Sequence, residues 1–577
     1  MQNRLIENND RVWTIVLFVA ALLLYTIALG EVALRDWDKG TVAQVAREMA
    51  ESGHWEGWLF PQLWGAPYWN KPPLVHSLIA LMYQGFGVQE WATRLPGAVL
   101  SAAAVPLLYQ VGCEIFPLRL TALMASGVYL TWLPVVRHGR LAMLDGVVVF
   151  FFLIFLLGIL RSRRDQRWCG LMGLGLAGMG LTKGLLALLL LTLLLGFIAL
   201  DTPRLFRAPL WWLGLGLGLG PIVGWYALQG LHWGWSALGV GLGDQGVDRV
   251  WTAVERNSGP PWYYLGELLK YAWPWLLFLP WGLRQLWADR DLSWAKLLGV
   301  WSGGYLGTIS LMGTKLPWYI FPLYPALALI IAIPLSEAWI GSGGWGGYTY
   351  TPRSFPRIWS RGLLMLTPIA LGGVYYFSPW GLDPSGRGML SLLIAAAGLG
   401  AAGILGSRRN PLWILVLGWG WYLSLLVLMT SPHWLWELAE DYPVKPVATI
   451  VQKLVPPEAI VYTNHPHHRP SLDFYSQHPV QSLTDEAILA QAQPGDTAYY
   501  LVTPDLADRL MVQGFKSIAT AEGWVLVGRY NLIPSFFTME SHQFLHHGKS
   551  TVKRETKEIG DLGLALLIPA KRSFLRD

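Results

Sequence analysis

Asp145-Gly-Val-Val-Val-Phe-Phe-Phe-Leu-Ile-Phe-Leu-Leu-Gly-Ile-Leu160 runs directly into Arg161-Ser-Arg-Arg164. With the four residues before Asp145, this stretch is about as long as a helix must be to cross the hydrocarbon core of a bilayer, roughly 20 residues. The arginines that end it mark a cytoplasmic boundary, because short loops on that side collect Lys and Arg. The whole chain follows the same pattern. Of 577 residues 53% are hydrophobic and 14% charged, with 33 Trp and 63 Gly. Water-soluble domains carry about 25% charged residues, so a soluble multidomain enzyme is excluded. The net charge of +6 is modest and its arginines are scattered between apolar runs, which points away from a nucleic-acid surface. Cys113 and Cys169 both sit in apolar runs, so neither a disulfide framework nor a cysteine zinc site is available.

Apolar runs of spanning length lie at about 11–30, 94–112, 118–136, 141–160, 168–182, 183–200, 208–228, 263–283, 293–312, 319–338, 362–380, 388–406 and 411–430. The sequence therefore predicts a polytopic α-helical membrane protein with about 13 spans. The first run lacks a small-residue cleavage site and reads as a retained span. With the N-terminus cytoplasmic, every inside connection is basic, from Arg4 and Arg11 through Arg161, Arg163, Arg164 and Arg167 to Arg408 and Arg409. The membrane domain is expected over 1–431, with a long extracytoplasmic first loop at 31–93 and a second large loop at 229–262. Thr41-Val-Ala-Gln44 reads as a capping box opening an amphipathic helix on the membrane surface. After 431 the pattern becomes mixed, with short strands near 459–462, 498–502 and 524–527 and a helix near 504–513. This predicts a small extracytoplasmic α/β domain over 432–534, followed by a tail at 535–577 without a core-forming pattern. The glycine runs 173–180 and 213–220 lie inside spans and read as close helix packing, not nucleotide loops.

Ionisable residues gather at the outer ends of the spans. Asp36 and Asp38 follow the first span, and Lys71 stands in Tyr68-Trp-Asn-Lys-Pro-Pro-Leu74. Arg137, Arg140 and Asp145 lie around the next outer turn, Lys183 in Leu181-Thr-Lys-Gly184, Arg249 in the second loop and Lys315 in Gly313-Thr-Lys-Leu-Pro-Trp-Tyr319. Charges this close to lipid are costly unless paired or functional. One bland reading of each is an interfacial anchor. Several cations with two or three carboxylates also suit a pocket for an anionic lipid such as a polyprenyl phosphate, with a carboxylate to deprotonate an attacking hydroxyl. The His465, His467 and His468 group lacks an adjacent carboxylate and reads as a loop or rim, not a metal site.

These residues carry a family resemblance. Asp36-Trp-Asp-Lys-Gly-Thr-Val-Ala-Gln-Val-Ala-Arg-Glu-Met49 resembles the first loop of glycosyltransferase family 39, which holds the protein O-mannosyltransferases and the bacterial aminoarabinose transferases that modify lipid A. Tyr68–Leu74, Glu90-Trp-Ala-Thr-Arg-Leu-Pro96, Leu181–Gly184, Lys315-Leu-Pro-Trp-Tyr-Ile-Phe-Pro322 and Arg469-Pro-Ser-Leu-Asp-Phe-Tyr475 resemble further segments in the same order. The resemblance implies a GT-C architecture that takes a sugar from a polyprenyl-phosphate donor on the extracytoplasmic side of a bacterial inner membrane. It places Asp38 as general base, and Lys71, Arg249 and Tyr319 as contacts to lipid phosphate. From the charge pattern, Asp145 joins Asp38 as a catalytic candidate, and Lys183, Lys315 and Arg140 join the binding set. The family pattern has Glu where this chain has Lys39, and often Glu where it has Asn70, so a divalent metal is doubtful and no cofactor is required. The acceptor is expected to be a lipid, glycan or protein hydroxyl, with membrane lipids as the surroundings and no nucleic-acid partner. The competing readings are a lipid or sugar transporter or flippase, which would place its charges near mid-bilayer, and an anionic-lipid scaffold without turnover.

Overall fold

The structure is a computed structural model and describes residues 2–36, 38–235, 239, 241, 243, 248–252, 257–341, 357–378, 385–435, 442–492 and 498–529. The side chains of 2–8, 248 and 249 lie outside the described set. All thirteen apolar runs contain helix. Among the described residues seven helices are long and apolar enough to cross a membrane, or eight if Arg119–Leu130 and Leu133–Gly139, bent by 65°, form one span. The run at 263–283 is divided into Tyr263–Tyr271, Trp275–Phe278 and Leu279–Ala288. Pro274 lies at the division, where its missing N–H interrupts the helical ladder.

The first helix shows why this is a membrane bundle. Val12, Ile15, Val16, Val19 and Leu23 are all 48–62% exposed and recur at helical spacing. They form an apolar stripe about 16 Å long, which water would not tolerate on a monomer. The opposite face, with Leu17, Ala21, Leu24 and Tyr25, enters the core.

Glycine decides how closely the central helices approach. A Cβ on Gly175 would lie 2.3 Å from the Phe155 nitrogen, and one on Gly158 2.4 Å from that of Met172. The helix Cys169–Asp201 packs on both Asp145–Ser162 and Pro209–Trp233 through such contacts. Its 33 residues do not run straight. Lys183 alone has a non-helical backbone (φ −152°, ψ 75°), and Asp201 bonds Arg163, 2.7 Å away and upstream of the helix start. A straight helix of this length would separate its ends by about 50 Å, so the chain folds back at Lys183. Each half then packs as a separate segment.

The two ends of the bundle treat their cations differently. At one end arginines meet carboxylates: Arg161 and Arg164 each reach Glu114 at 3.1 Å, and Arg119 reaches Asp10 at 3.2 Å. At the other end, besides ion pairs such as Lys183 with Asp145, two arginines meet backbone carbonyls at and just beyond helix ends. Buried Arg140 donates to the carbonyls of Leu24 (2.9 Å), Ile27 (2.6 Å) and Met429 (3.2 Å), and its guanidinium lies 4.8 Å from the Trp434 ring centre. Arg94 donates to Leu29, Val32 and Ala33 at 2.6–2.9 Å. Helices leave their last carbonyls without internal partners, and cations suit that negative end.

Between the first span and Glu90 the chain forms helices Asp38–Glu51, Trp55–Leu59 and Leu74–Phe86 with a short hairpin, Gln62–Leu63 against Ala66–Pro67. The helix opens at Asp38, not at a Thr41 cap, because Asp38 itself supplies the first-turn carboxylate that the positive helix end favours. It is also enclosed by protein on several sides. Val42, Ala43, Val45, Ala46 and Met49 are buried, together with Lys39, Gln44 and Arg47, because the helix is covered by Leu74–Phe86 and by a helix from far downstream, Pro470–Ser476. That second helix belongs to an α/β unit over 442–529. Its five-stranded sheet has the order Val480–Ser482, Val461–Thr463, Tyr499–Val502, Trp524–Gly528, Lys516–Ala521, parallel across the first three and antiparallel beyond. Two of these strands, 480–482 and 516–521, escape the sequence pattern because they are short or half exposed.

Two predictions follow from the packing. Gly175→Ala lowers the melting temperature of the detergent-purified protein and its folded yield, whereas Gly216→Ala, whose Cβ meets nothing within 4 Å, leaves both unchanged. Arg140→Ala strands three buried carbonyls and costs about 3 kcal/mol or more, read as a loss of melting temperature; Arg140→Lys recovers only part, because one ammonium cannot reproduce the guanidinium fork.

Candidate active site

At the Asp38 end of the bundle the fold-back at Lys183 carries that side chain to Asp145, Nζ to Oδ1 2.7 Å. Asp145 opens the helix Asp145–Ser162 and is 3% exposed. Lys183 also lies over the Tyr319 ring, 5.7 Å from its centre. The Tyr319 carbonyl accepts from the Tyr305 hydroxyl at 2.8 Å, which fixes that turn. Asp38, at the first turn of its helix, lies within electrostatic reach of Lys183 on one side and Tyr68 on the other. Burial first, and the Asp38 carboxylate second, raise the Tyr68 phenol above its ordinary value. Asp145, Lys183 and Tyr319, from three separate segments, are thus brought together, with Asp38 within electrostatic range of Lys183.

Lys71 follows on the same loop. It is partly exposed, and its charge acts on fully buried His76. Burial, with Lys71 adding to it, lowers His76 to about 4, so the imidazole is neutral near pH 7. The reading of the motifs did not single out His138 and Lys39. Both are buried, and His138 lies within electrostatic range of Lys39 and Lys183. The signal for His138 was its place beside Arg137 in an outer connection; for Lys39 it was only the departure from the family pattern.

Two proposed binding cations are committed elsewhere. Arg140 closes helix termini, as described above. Lys315 is 4% exposed and its ammonium donates to the carbonyls of Ile309 (2.9 Å), Ser310 (2.6 Å) and Met312 (2.7 Å). Three hydrogens meet three acceptors at the end of helix Tyr305–Leu311, so none is left for a phosphate in this arrangement. The spacing showed a cation near the outer end of a span, and only the folded turn shows that it caps that end. The side chain of Arg249 lies outside the described residues, as does Arg256.

Beside Asp38 stands Lys39, Asn70 precedes Lys71, and Asp145 is engaged by Lys183. Among the described residues no three His, Cys, Asp or Glu side chains come together as metal ligands do. Of the three histidines, His465 and His467 contact each other and His468 turns to a carboxylate. His468 Nε2 meets Asp473 Oδ2 at 2.8 Å, which raises the imidazole above its ordinary value. His465 Nδ1 meets the His467 carbonyl at 2.7 Å.

The chain is similar to several known proteins. The family model of dolichyl-phosphate-mannose-protein mannosyltransferase matches residues 70–226. An undecaprenyl phosphate-alpha-4-amino-4-deoxy-L-arabinose arabinosyl transferase of Pectobacterium carotovorum is 29% identical over 350 residues, 56% of this chain and 58% of that protein. Its counterpart in Pectobacterium atrosepticum is 28% identical over 449 residues, 71% of this chain and 74% of that one. The chain thus spans less than two thirds of the length of the first of these relatives. The crystal structure of ArnT from Cupriavidus metallidurans bound to undecaprenyl phosphate shares the fold, with a TM-score of 0.71 at 20% identity, over 90% of this chain and 99% of that one. The same protein in the apo state gives 0.69 at 21% identity, over 89% and 97%. The chain thus shares the fold of ArnT and is similar in sequence to these transferases.

Proposed function

We propose that this chain is an integral membrane glycosyltransferase that moves a sugar from a polyprenyl-phosphate donor to an acceptor hydroxyl, with inversion at the anomeric carbon. The observation that carries the reading is the buried Lys183–Asp145 pair beside Tyr319, within electrostatic range of Asp38, at one end of the bundle. A sugar phosphate leaves as a stable anion, so no acid need protonate the leaving oxygen. Cations and one base suffice. In the proposed step Asp38 accepts the proton of the acceptor hydroxyl, whose oxygen attacks the anomeric carbon. The bond from that carbon to the phosphate oxygen breaks, and the polyprenyl phosphate leaves with the electron pair. Lys71, Arg249 and Tyr319 are assigned to the lipid phosphate, as in the family pattern. Lys183, held by Asp145, supplies positive charge between the base and the leaving group. No metal or other cofactor takes part in the step.

The same reading places about thirteen spans in a bacterial inner membrane, the cluster and the α/β unit of 432–534 outside the cytoplasm, and the basic Arg161–Arg164 end inside. The names of the relatives support an undecaprenyl-phosphate-linked aminosugar as the donor class. For the acceptor we propose the hydroxyl of a lipid A-like glycolipid, with another glycan or a protein as the alternatives to be assayed beside it. A transporter or flippase is less well supported, because the charged groups gather at helix ends and in the first loop.

The test uses the full chain in nanodiscs with polyprenyl-phosphate sugars extracted from its host, following release of polyprenyl phosphate by mass spectrometry. Wild type releases it only when sugar-loaded donor and acceptor-containing membranes are present. Asp38→Asn lowers the rate by about 100-fold or more while still binding donor. No release from any donor would overturn the proposal. The buried pair gives a second prediction. Lys183→Met leaves Asp145 uncompensated and costs about 3–5 kcal/mol. Adding Asp145→Asn restores the melting temperature but not turnover, whereas a purely structural pair would recover both.

A further inference from the structure

The helix Pro470–Ser476 has seven residues, yet it meets the first loop at Leu34, Asp36, Gly40, Arg47 and Glu90. Asp36, two residues before Asp38 and 7% exposed, takes its hydrogen bonds from this region. Arg469 Nε donates to Oδ2 at 2.7 Å, the Ser471 amide donates to Oδ1 at 3.2 Å, and the Ser471 hydroxyl donates to the same oxygen. Gly40, two residues after Asp38, is pressed against the same spot. A Cβ there would lie 2.6 Å from both the Pro470 carbonyl carbon and the Ser471 nitrogen. The residue carrying the proposed base is therefore bracketed by two contacts to Pro470 and its neighbours.

The grip continues along the loop. Arg47 donates to the Phe474 carbonyl at 2.7 Å and lies 4.2 Å from the centre of that ring. The Tyr475 hydroxyl accepts from the Leu34 amide at 2.7 Å and donates to Glu90 at 3.0 Å. The Trp64 side chain reaches Asp473, which His468 also holds. This helix follows the carboxyl end of strand Val461–Thr463. In open parallel sheets that edge lies beside a crevice where small ligands bind. Here Asn464 at that edge donates to Asp485 and Thr503 at 3.0 Å, and the neighbouring loop grips the rest of the chain.

We infer that the C-terminal α/β unit is a positioning element for the base: Arg469 and Ser471, acting through Asp36 and against Gly40, hold the first turn of helix Asp38–Glu51 so that Asp38 stays at the Lys183–Asp145 pair. The inference rests on the reading of Asp38 as base. A unit attached only for folding or solubility has no need to place a buried ion pair, two Ser471 hydrogen bonds and a glycine contact within two residues of one side chain. A carboxylate displaced by an ångström loses its alignment with the acceptor hydroxyl, while Lys183 and Tyr319, on other segments, keep their places.

The test compares wild type with Asp36→Asn, Arg469→Gln, Arg469→Lys and Asp36→Asn/Arg469→Gln, all as full chains in nanodiscs. Two readouts are taken: steady-state kcat and donor KM with host polyprenyl-phosphate sugar, and hydrogen exchange of the amides of 38–51. The single variants are expected to lower kcat at least tenfold with donor KM within twofold, and to speed exchange over 38–44. The double variant is expected to be no worse than either single one, because they act on one contact, and Arg469→Lys to recover part of both readouts. Unchanged kcat and exchange would overturn the inference. So would a rise in KM at constant kcat, or a kcat loss that merely tracks the fraction of unfolded protein in a melting curve. If wild type shows no turnover, the transferase proposal fails, and the exchange comparison still decides whether Arg469 orders the Asp38 turn.

Discussion

A helix that ends inside a bundle leaves carbonyl oxygens with no partner, and where water is scarce each one must be met by a donor from elsewhere in the chain. At the Asp38 end this requirement is met by cations. Arg140 joins the ends of the first helix and of Trp413–Leu428, Arg94 collects the carbonyls that follow the first helix, and Lys315 closes Tyr305–Leu311. Trp434 lies between the two guanidinium groups, so the segment after the last apolar helix is tied to the first. The rest of the architecture depends on these closures, because they fix where the chain leaves the bundle and enters the first loop.

This sorts the cations that accumulate at one end into two kinds. Arg94, Arg140 and Lys315 are bound to backbone and define the floor. Lys183 is bound to a carboxylate, and at a fold-back where its own residue breaks the helix. Its charge is therefore oriented while it stays close to Asp38 and Tyr319. A helix end needs donors, whereas a phosphate-leaving reaction needs an oriented cation beside a base. The same residue types serve both needs, and only their partners tell them apart.

The α/β unit adds a lateral constraint. The loop from Leu34 to Glu90 is the longest segment between apolar helices at that end, and its helix Asp38–Glu51 is nearly surrounded by protein. Leu74–Phe86 supplies apolar cover, while Pro470–Ser476 supplies polar anchors at Asp36, Arg47 and Glu90. Anchors of both kinds restrict the first turn of the helix in rotation as well as in position.

By itself the sequence determined the membrane character, the number of apolar runs, the run of basic connections at one end, the glycine-mediated packing and the ordered motifs around Asp38, Lys71, Lys183 and Tyr319. These are properties of local composition and spacing, which bilayer thickness and helix geometry convert directly into segments. Tertiary structure decided what composition cannot express. It paired Lys183 with Asp145, committed Lys315 and Arg140 to carbonyls, began the first-loop helix at Asp38 ahead of the Thr41 cap, and buried Asp36 against Arg469, 433 positions away. A charged side chain carries the same label whether it meets lipid, phosphate or a helix end. Its role is set by whichever partner the fold brings within about 3 Å, and that partner is nowhere near it in the chain.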